Sequence, residues 1–398
     1  MSNVFNVGIL GAGISGLALA ISLRKKGHEV TIYEKSQSVT GIGAGVQLSP
    51  NGMKVIQTLG LQEEIAALSV KPDKINIRNG SNSNFIAEIP LGNKAFERYS
   101  ANFFQIHRSD LIKLLFNRAK HYGVRFVVGE KAVVVPAGNK KLKISIPDNK
   151  SSYDVIVGAD GVHSETRRRF MPSLEPIYLK QVAYRATIPL SKVDSKFREP
   201  IVQIYLGSGK HAVCYPLRPS NLLNLVFCKA EEEWQSEGWN VVAKKEEIFQ
   251  SFSDFTDLEL LMENISEVRK WGLFGHKSKA NWTTNNLALI GDACHPMLPY
   301  LAQGANQALE DAVSLSFYLS FTGSNSISKR LNLYYEDRYA RVIAVQRASQ
   351  KNASLYHLNN GVARFFTHRF MSFTSAVMPT FLLSRFDWLY GYDFVPNN

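Results

Sequence analysis

The sequence predicts an α/β fold: a parallel sheet, an interleaved β-rich region and a helical C-terminal segment. Three observations carry this. Short apolar runs at Val7–Leu10, Tyr153–Val157 and Leu287–Ile290 each end in glycine within a few residues. Runs too short for helices and ended by glycine read as buried parallel strands. From Tyr184 to Lys229 strand-like segments follow one another with no helical pattern between them. From Tyr334 onward the pattern is mostly helical.

The first strand leads into Gly11-Ala12-Gly13-Ile14-Ser15-Gly16, which fits G-x-G-x-x-G. Apolar residues at helical spacing follow from Leu17 to Lys26 and stop at Gly27, a residue suited to a C-cap. A second strand, Val30–Tyr33, ends on Glu34. This is the Rossmann-like βαβ layout. Gly11 permits the tight turn, Gly13 lets the backbone approach a pyrophosphate, and Gly16 lets helix and strand pack closely. The helix N-terminus faces the phosphates and the acid can bind a ribose. The motif alone does not choose between NAD and FAD.

Farther along, Gly41-Ile42-Gly43-Ala44-Gly45 precedes Val46-Gln47, and suits either a close backbone approach to a flat ligand or a flexible loop. Residues 52–68 read as helical, and 74–89 as strands turning at Asn79-Gly80. His107-Arg108-Ser109-Asp110 opens a helix over 111–121 with Ser109 as its N-cap. Strands are expected at 124–128, 142–146, 201–206, 211–217 and 222–227, and helices at 246–265 and 305–320. Asp160 and Asp292 each follow an apolar strand, so they stand at strand carboxyl ends, where open α/β sheets bind ligands. Each also suits a helix N-cap.

Composition bounds the class. The chain has 398 residues, 45% hydrophobic and 20% charged, an ordinary globular balance. Its net charge is +12 with lysines and arginines scattered, which points to small anionic ligands rather than nucleic acid. Cys214, Cys228 and Cys294 form no C-x-x-C and no even disulfide framework, so a reduced, cytoplasmic setting is expected. The N-terminus runs almost directly into the first strand, leaving no room for a signal peptide. No uncharged apolar stretch reaches about 18 residues, so no stable membrane insertion is expected. No metal site is read.

Three motifs stand in order: GAGISG, VIVGADGVHSETRR and ALIGDACHPMLPYLAQGANQALEDA. Together they resemble the class A flavoprotein monooxygenases, the FAD-dependent aromatic hydroxylases, over nearly the whole chain. HAVCYPLR, MLPYLAQGANQALEDA and DWLYGYD are similar to segments of the salicylate, 3-hydroxybenzoate and 6-hydroxynicotinate hydroxylases. The resemblance makes the parallel sheet an FAD-binding one and implies roles. Gly11, Gly13, Ser15 and Gly16 line the FAD pyrophosphate. Glu34 holds the adenosine ribose with Lys35 beside it. Arg108 reaches the phosphates or ribityl chain. Asp160-Gly161 serves FAD and the nicotinamide cofactor, the latter with nearby arginines such as Arg167. Gly291-Asp292 binds the ribityl hydroxyls. Gly45, Val46 and Gln47, and the run Pro299 to Ala305 including Gly304, lie along the isoalloxazine. His211, Tyr215 and Gln303 face the substrate as catalytic residues, with His211 the base, directly or through Tyr215. Arg185 and Tyr300 bind substrate. From the residues alone, Arg108 also fits a surface arginine, Arg185 an ion pair and His211 a structural histidine. Gln47 and Tyr300 stand where 6-hydroxynicotinate enzymes carry histidines, which leans toward a benzoate-type ring.

The resemblance divides the chain into FAD-binding parts at 1–73, 107–180 and 276–345. Substrate-domain parts fall at 74–106 and 181–275, and a helical segment at 346–398. It implies non-covalent FAD, NADH or NADPH as a transient co-substrate, O₂, and a small hydroxylated aromatic acid hydroxylated through a flavin C4a-hydroperoxide. A larger polycyclic or quinolone substrate, or a flavin-binding protein without hydroxylase activity, are the rival readings. The aromatic tail from Phe365 to Trp388 reads as a dimer interface or core packing ahead of a membrane contact, giving a monomer or homodimer.

Overall fold

The computed structural model describes residues 4–39, 44–138, 141–147, 149–234, 240–275, 281–322 and 326–394. Gly41, Ile42 and Gly43 of the glycine-rich stretch lie outside them. The first strand, Asn6–Leu10, pairs in parallel with Glu29–Glu34 and with Val155–Gly158. Val7 and Ile9 are fully buried, because helices cover both faces of a parallel sheet. Arg125–Val128 and Leu287–Leu289 extend the sheet in parallel, and Thr283–Thr284 closes one edge antiparallel. Helix Ile14–Lys25 is buried from Ile14 to Leu23. An all-round apolar surface of this kind belongs in a core.

The second large sheet has eight strands, in the order 240–243, 268–275, 177–189, 222–230, 210–217, 201–206, 74–79 and 85–90. All neighbours run antiparallel except Ile201–Leu206 and Lys74–Asn79. Alternation assigns its faces. Tyr184, Ala212, Cys214, Leu225 and Phe227 pack with Ile248, Phe252 and Phe255. Arg185, His211, Val213, Tyr215, Val226 and Cys228 point the other way.

Several expectations are corrected. The helical stretch expected over 52–68 is divided into two helices, Pro50–Thr58 and Gln62–Ala67, separated at Gly60 with φ +73°. Residues 246–265 likewise form Lys245–Phe252, a short turn and Glu259–Glu263. Ser109 is not the N-cap: the helix is Arg108–His121 behind His107, and the Ser109 hydroxyl pairs with the His107 ring. The division at 345/346 falls inside one continuous helix, Ile327–Tyr356. The division at 180/181 cuts the strand Ile177–Pro189.

Core packing accounts for only part of the aromatic tail. Phe381 and Phe386 pack against buried apolar residues. On helix Gly361–Val377, Phe365, Phe366, Phe370 and Phe373 are 56–66% exposed. No helix among the described residues is long and apolar enough to cross a membrane.

Candidate active site

A cavity of about 730 Å³ is lined by residues of both large sheets. One end is built from backbone turns. Gly11 has φ +106°, and a Cβ there would lie 2.4 Å from the Ala159 carbonyl oxygen, so only glycine closes this turn. A Cβ on Gly16 would lie 2.1 Å from the Gly11 oxygen. Gly13 has open space beside it. It caps helix Ile14–Lys25 with no side-chain acceptor, and Gly13, Ile14 and Ser15 line the cavity, so this helix terminus opens onto it. Such a terminus favours an anion. The Glu34 carboxylate accepts the Ala12 and Ser36 N–H groups at 2.9 Å, fixing the turn from the neighbouring strand.

Arg108 and Asp292 line the cavity farther in. Burial pulls the Arg108 guanidinium below its ordinary range while Asp292 opposes the shift. The Nε atoms of Arg108 and Arg185 are buried without a protein partner. A buried unpaired cationic donor is costly, so both suit an anionic or carbonyl-rich ligand. Helix Gly304–Ser320 also begins at the cavity without a side-chain cap. Two bare helix termini, two orphaned arginine donors and an open glycine fit a dinucleotide carrying a flat ring.

The other end is built from side chains: Ile75, Ile89, Phe103, Val202, Ile204, Val213, Leu301, Phe386 and Tyr390. His211, Tyr215 and Tyr300 stand where the two ends meet. His211 Nδ1 shares a hydrogen bond of 2.8 Å with His357 Nε2, so its close partner is His357 rather than Tyr215. Burial, with His357 second, holds the His211 ring well below its ordinary pKa. The Tyr300 hydroxyl donates to Gln181 Oε1.

The cavity brings together Gly11, Gly13, Ser15, Glu34, Lys35, Gly45, Val46, Gln47, Arg108, Asp160, Gly161, Arg185, His211, Tyr215, Asp292, Pro299, Tyr300, Gly304 and Ala305. Gly16 and Gly291 stand just behind it. Gln303 does not face the substrate side. It is fully buried, donates to Ser49 Oγ at 2.8 Å and accepts from Asn51 Nδ2 at 3.0 Å. The left-handed turn at Ala302, φ +51°, precedes it on the way into helix Gly304–Ser320. Arg167, expected beside the nicotinamide cofactor, is fully buried and donates to the carbonyls of Ala293 and Val162. Arg168 lines the cavity instead. Asp160 accepts from Ser164 Oγ and from the Thr166 N–H and hydroxyl, so it also caps the helix Glu165–Phe170.

Sequence reasoning missed the support behind the site. Arg338 donates to Glu310 at 2.7 Å, Asp311 at 2.9 Å and Gln307 at 2.7 Å, all fully or almost fully buried. Asp311 also accepts the Gly291 N–H at 2.8 Å, which holds the turn carrying Asp292. Burial would raise the Asp311 carboxyl; His295 and Arg338 outweigh it and hold it at about 2. Arg341 joins Glu310 to the carbonyls of Trp388 and Leu389. The only available signal was the charge of Glu310-Asp311 on an otherwise apolar helix.

A family model described as FAD binding domain matches residues 4–349. The chain belongs to this FAD-binding family. Within it, the chain is 31% identical over 387 residues to 3-amino-4-hydroxybenzoate 2-monooxygenase of Streptomyces cremeus, covering 97% of this chain and 94% of that one. It is also 31% identical over 395 residues to 3-hydroxybenzoate 6-hydroxylase 1 of Aquipseudomonas alcaligenes, covering 98% of both. A salicylate hydroxylase solved as a substrate complex shares the fold, with TM-score 0.81 at 23% identity over 98% of this chain and 96% of that one. This FAD-binding protein is therefore a class A flavoprotein monooxygenase, and the reading as a flavin carrier without hydroxylase activity falls.

Proposed function

We propose that this monooxygenase uses NADH or NADPH and O₂ to hydroxylate a small aromatic acid that already bears a hydroxyl group. Salicylate and 3-hydroxybenzoate are the leading candidates. The observation that carries the reading is one sheet face. Arg185 pairs in register with Val226, and Val226 with Val213, which lies between His211 and Tyr215. Two strand spacings, about 10 Å, and a further two residues along the strand separate a cation suited to a carboxylate from a neutral imidazole suited to a phenol proton. Bound FAD supplies the oxygen-activating redox chemistry. Gly13, Ser15 and Arg108 would hold its phosphates, Asp292 its ribityl hydroxyls, and Gly45 to Gln47 with Pro299 to Ala305 its ring.

His211 accepts the substrate proton at Nε2, because a phenolate ring is richer in electrons than a phenol. The apolar wall excludes water from the reacting centre. Asp160-Gly161 and Arg168 would meet the nicotinamide cofactor transiently. Three buried, unpaired cysteines fit a reducing, cytoplasmic setting.

A screen of hydroxylated aromatic acids for stimulated NAD(P)H oxidation, with product and peroxide measured together, tests the reading. On the substrate so found, His211→Ala lowers hydroxylation by roughly 10²–10⁴-fold, keeps FAD, and diverts reducing equivalents to hydrogen peroxide. Wild-type turnover and coupling in that variant would make His211 structural. The second reading, a larger polycyclic or quinolone substrate, is favoured by the apolar end reaching Phe386 and Tyr390, and the same screen includes such rings.

A further inference from the structure

We infer that His357 is the second member of a two-histidine proton relay: His211 takes the substrate proton, and His357 passes a proton on toward solvent. The inference rests on the reading of His211 as the base. Its ground is the 2.8 Å contact between His211 Nδ1 and His357 Nε2. That contact leaves Nε2 of His211 for the substrate and Nδ1 of His357 on the far side of the pair. His211 lines the cavity and His357 does not. His357 is half-buried at the C-cap of helix Ile327–Tyr356, beside the turn where Ser208 Oγ donates to exposed Asn359. The path therefore runs from cavity to surface.

The surroundings suit transfer. Tyr300 and Tyr356 pack against His211, with centroids at 4.9 and 5.2 Å. Tyr300 also meets His357 at 5.4 Å. Cys228 pairs with His211 across the sheet. Burial keeps the thiol and both phenols protonated. Burial alone holds His357 at about 4, and burial with the second imidazole holds His211 down. Both rings are thus neutral at working pH, which a proton acceptor requires. The C-terminal end of a helix dipole favours a cation, so a transient imidazolium is better tolerated on His357 than on His211.

The step balances. The substrate O–H bond breaks and its proton joins Nε2 of His211. The Nδ1–H bond of His211 breaks as Nε2 of His357 takes that proton. His357 releases its own Nδ1 proton to water. Reprotonation of the product oxygen runs the path in reverse and restores both tautomers.

The test uses the FAD-loaded enzyme and the aromatic acid found by the screen. His357→Gln retains a side chain able to hydrogen-bond His211 but unable to carry a proton; His357→Ala removes both functions. The relay predicts unchanged FAD content and substrate affinity in both. It predicts roughly 10²-fold slower substrate ionisation, an altered pH profile, and recovery of His357→Ala by imidazole in the buffer. If His357→Gln keeps the wild-type rate and profile while His211→Ala collapses, the relay is overturned and the base stands. If His211→Ala is also unaffected, the base reading itself has failed. If His357→Ala loses substrate affinity and imidazole restores nothing, His357 only positions its neighbour and the relay is overturned.

Discussion

At one end of the cavity the ligand surface is main chain: Gly11, Gly13 and Ser15 at a bare helix terminus, with Glu34 tying the turn from the next strand. At the other it is side chain: Ile75, Phe103, Val202 and Ile204, with Phe386 and Tyr390 from a distant part of the chain. The first kind of surface tolerates few residues, because a backbone turn at φ +106° and a Cβ-free approach admit only glycine. The second kind tolerates many, because any apolar side chain of suitable volume fills a wall. A surface made of main chain therefore constrains sequence tightly and recognises a cofactor. A surface made of side chains is free to vary and selects a substrate.

The largest expected effect strikes the structure that joins the two ends. Arg338→Met removes the cation shared by buried Glu310 and Asp311, leaving Glu310 to Arg341 and Asp311 to His295, and lowers stability by about 3–5 kcal/mol. It loosens the Gly291 turn and, through Glu310 and Arg341, the Trp388–Leu389 carbonyls together. Urea unfolding measures it; a loss under about 1 kcal/mol, the size of an exposed pair, would mean the ends are held independently. Next comes Gly11→Ala. The backbone strain costs about 1–3 kcal/mol, and the Cβ contact at 2.4 Å adds to it. FAD should be lost on gel filtration while the antiparallel sheet persists by circular dichroism. Full FAD occupancy would show that this end bends as freely as the other.

The smallest effect is a comparison in acid. Burial, with Lys26 and Arg330 adding to it, lowers His28 to about 4 beyond the C-terminal end of helix Ile14–Lys25, away from the glycine turn at its N-terminus, and burial lowers His357 to about 4 beside His211. Both folded values lie below the ordinary 6.5. The unfolded chain therefore binds more protons between the two values, and stability falls as pH drops from 6.5 toward 4. Each ring contributes on the order of 1 kcal/mol at about pH 5 after allowance for solvent screening. Melting temperatures at about pH 7 and about pH 5 for His28→Gln and His357→Gln read which of these two regions yields first. Equal slopes in both variants and the parent would remove histidine from the account.

The same contrast explains which residues are legible in the sequence. Gly11, Gly13, Glu34 and Asp292 are legible because main-chain geometry restricts their residue types. The alternation of His211, Val213 and Tyr215 is legible because strand faces repeat every second residue. Gln303 misleads because a left-handed residue at Ala302 redirects the chain into the next helix, and nothing local marks that turn. Arg338 and His357 are invisible because their partners lie 28 and 146 residues away. The break at Gly60 escapes notice because both flanking segments keep helical spacing.

Residues lining the cavity run from Leu10 to Tyr390 and come from both large sheets and from the C-terminal helical segment. Contacts so distant in sequence carry a heavy loop-closure cost before they reward the chain. The cavity should therefore be among the last features to form during folding, after the glycine turn and the first parallel strands have docked. A protease cut in an exposed loop need not destroy such a site while the halves stay packed. Neither fragment would rebuild it alone, and regain of yellow colour on refolding reports completion of the whole chain rather than of any one part.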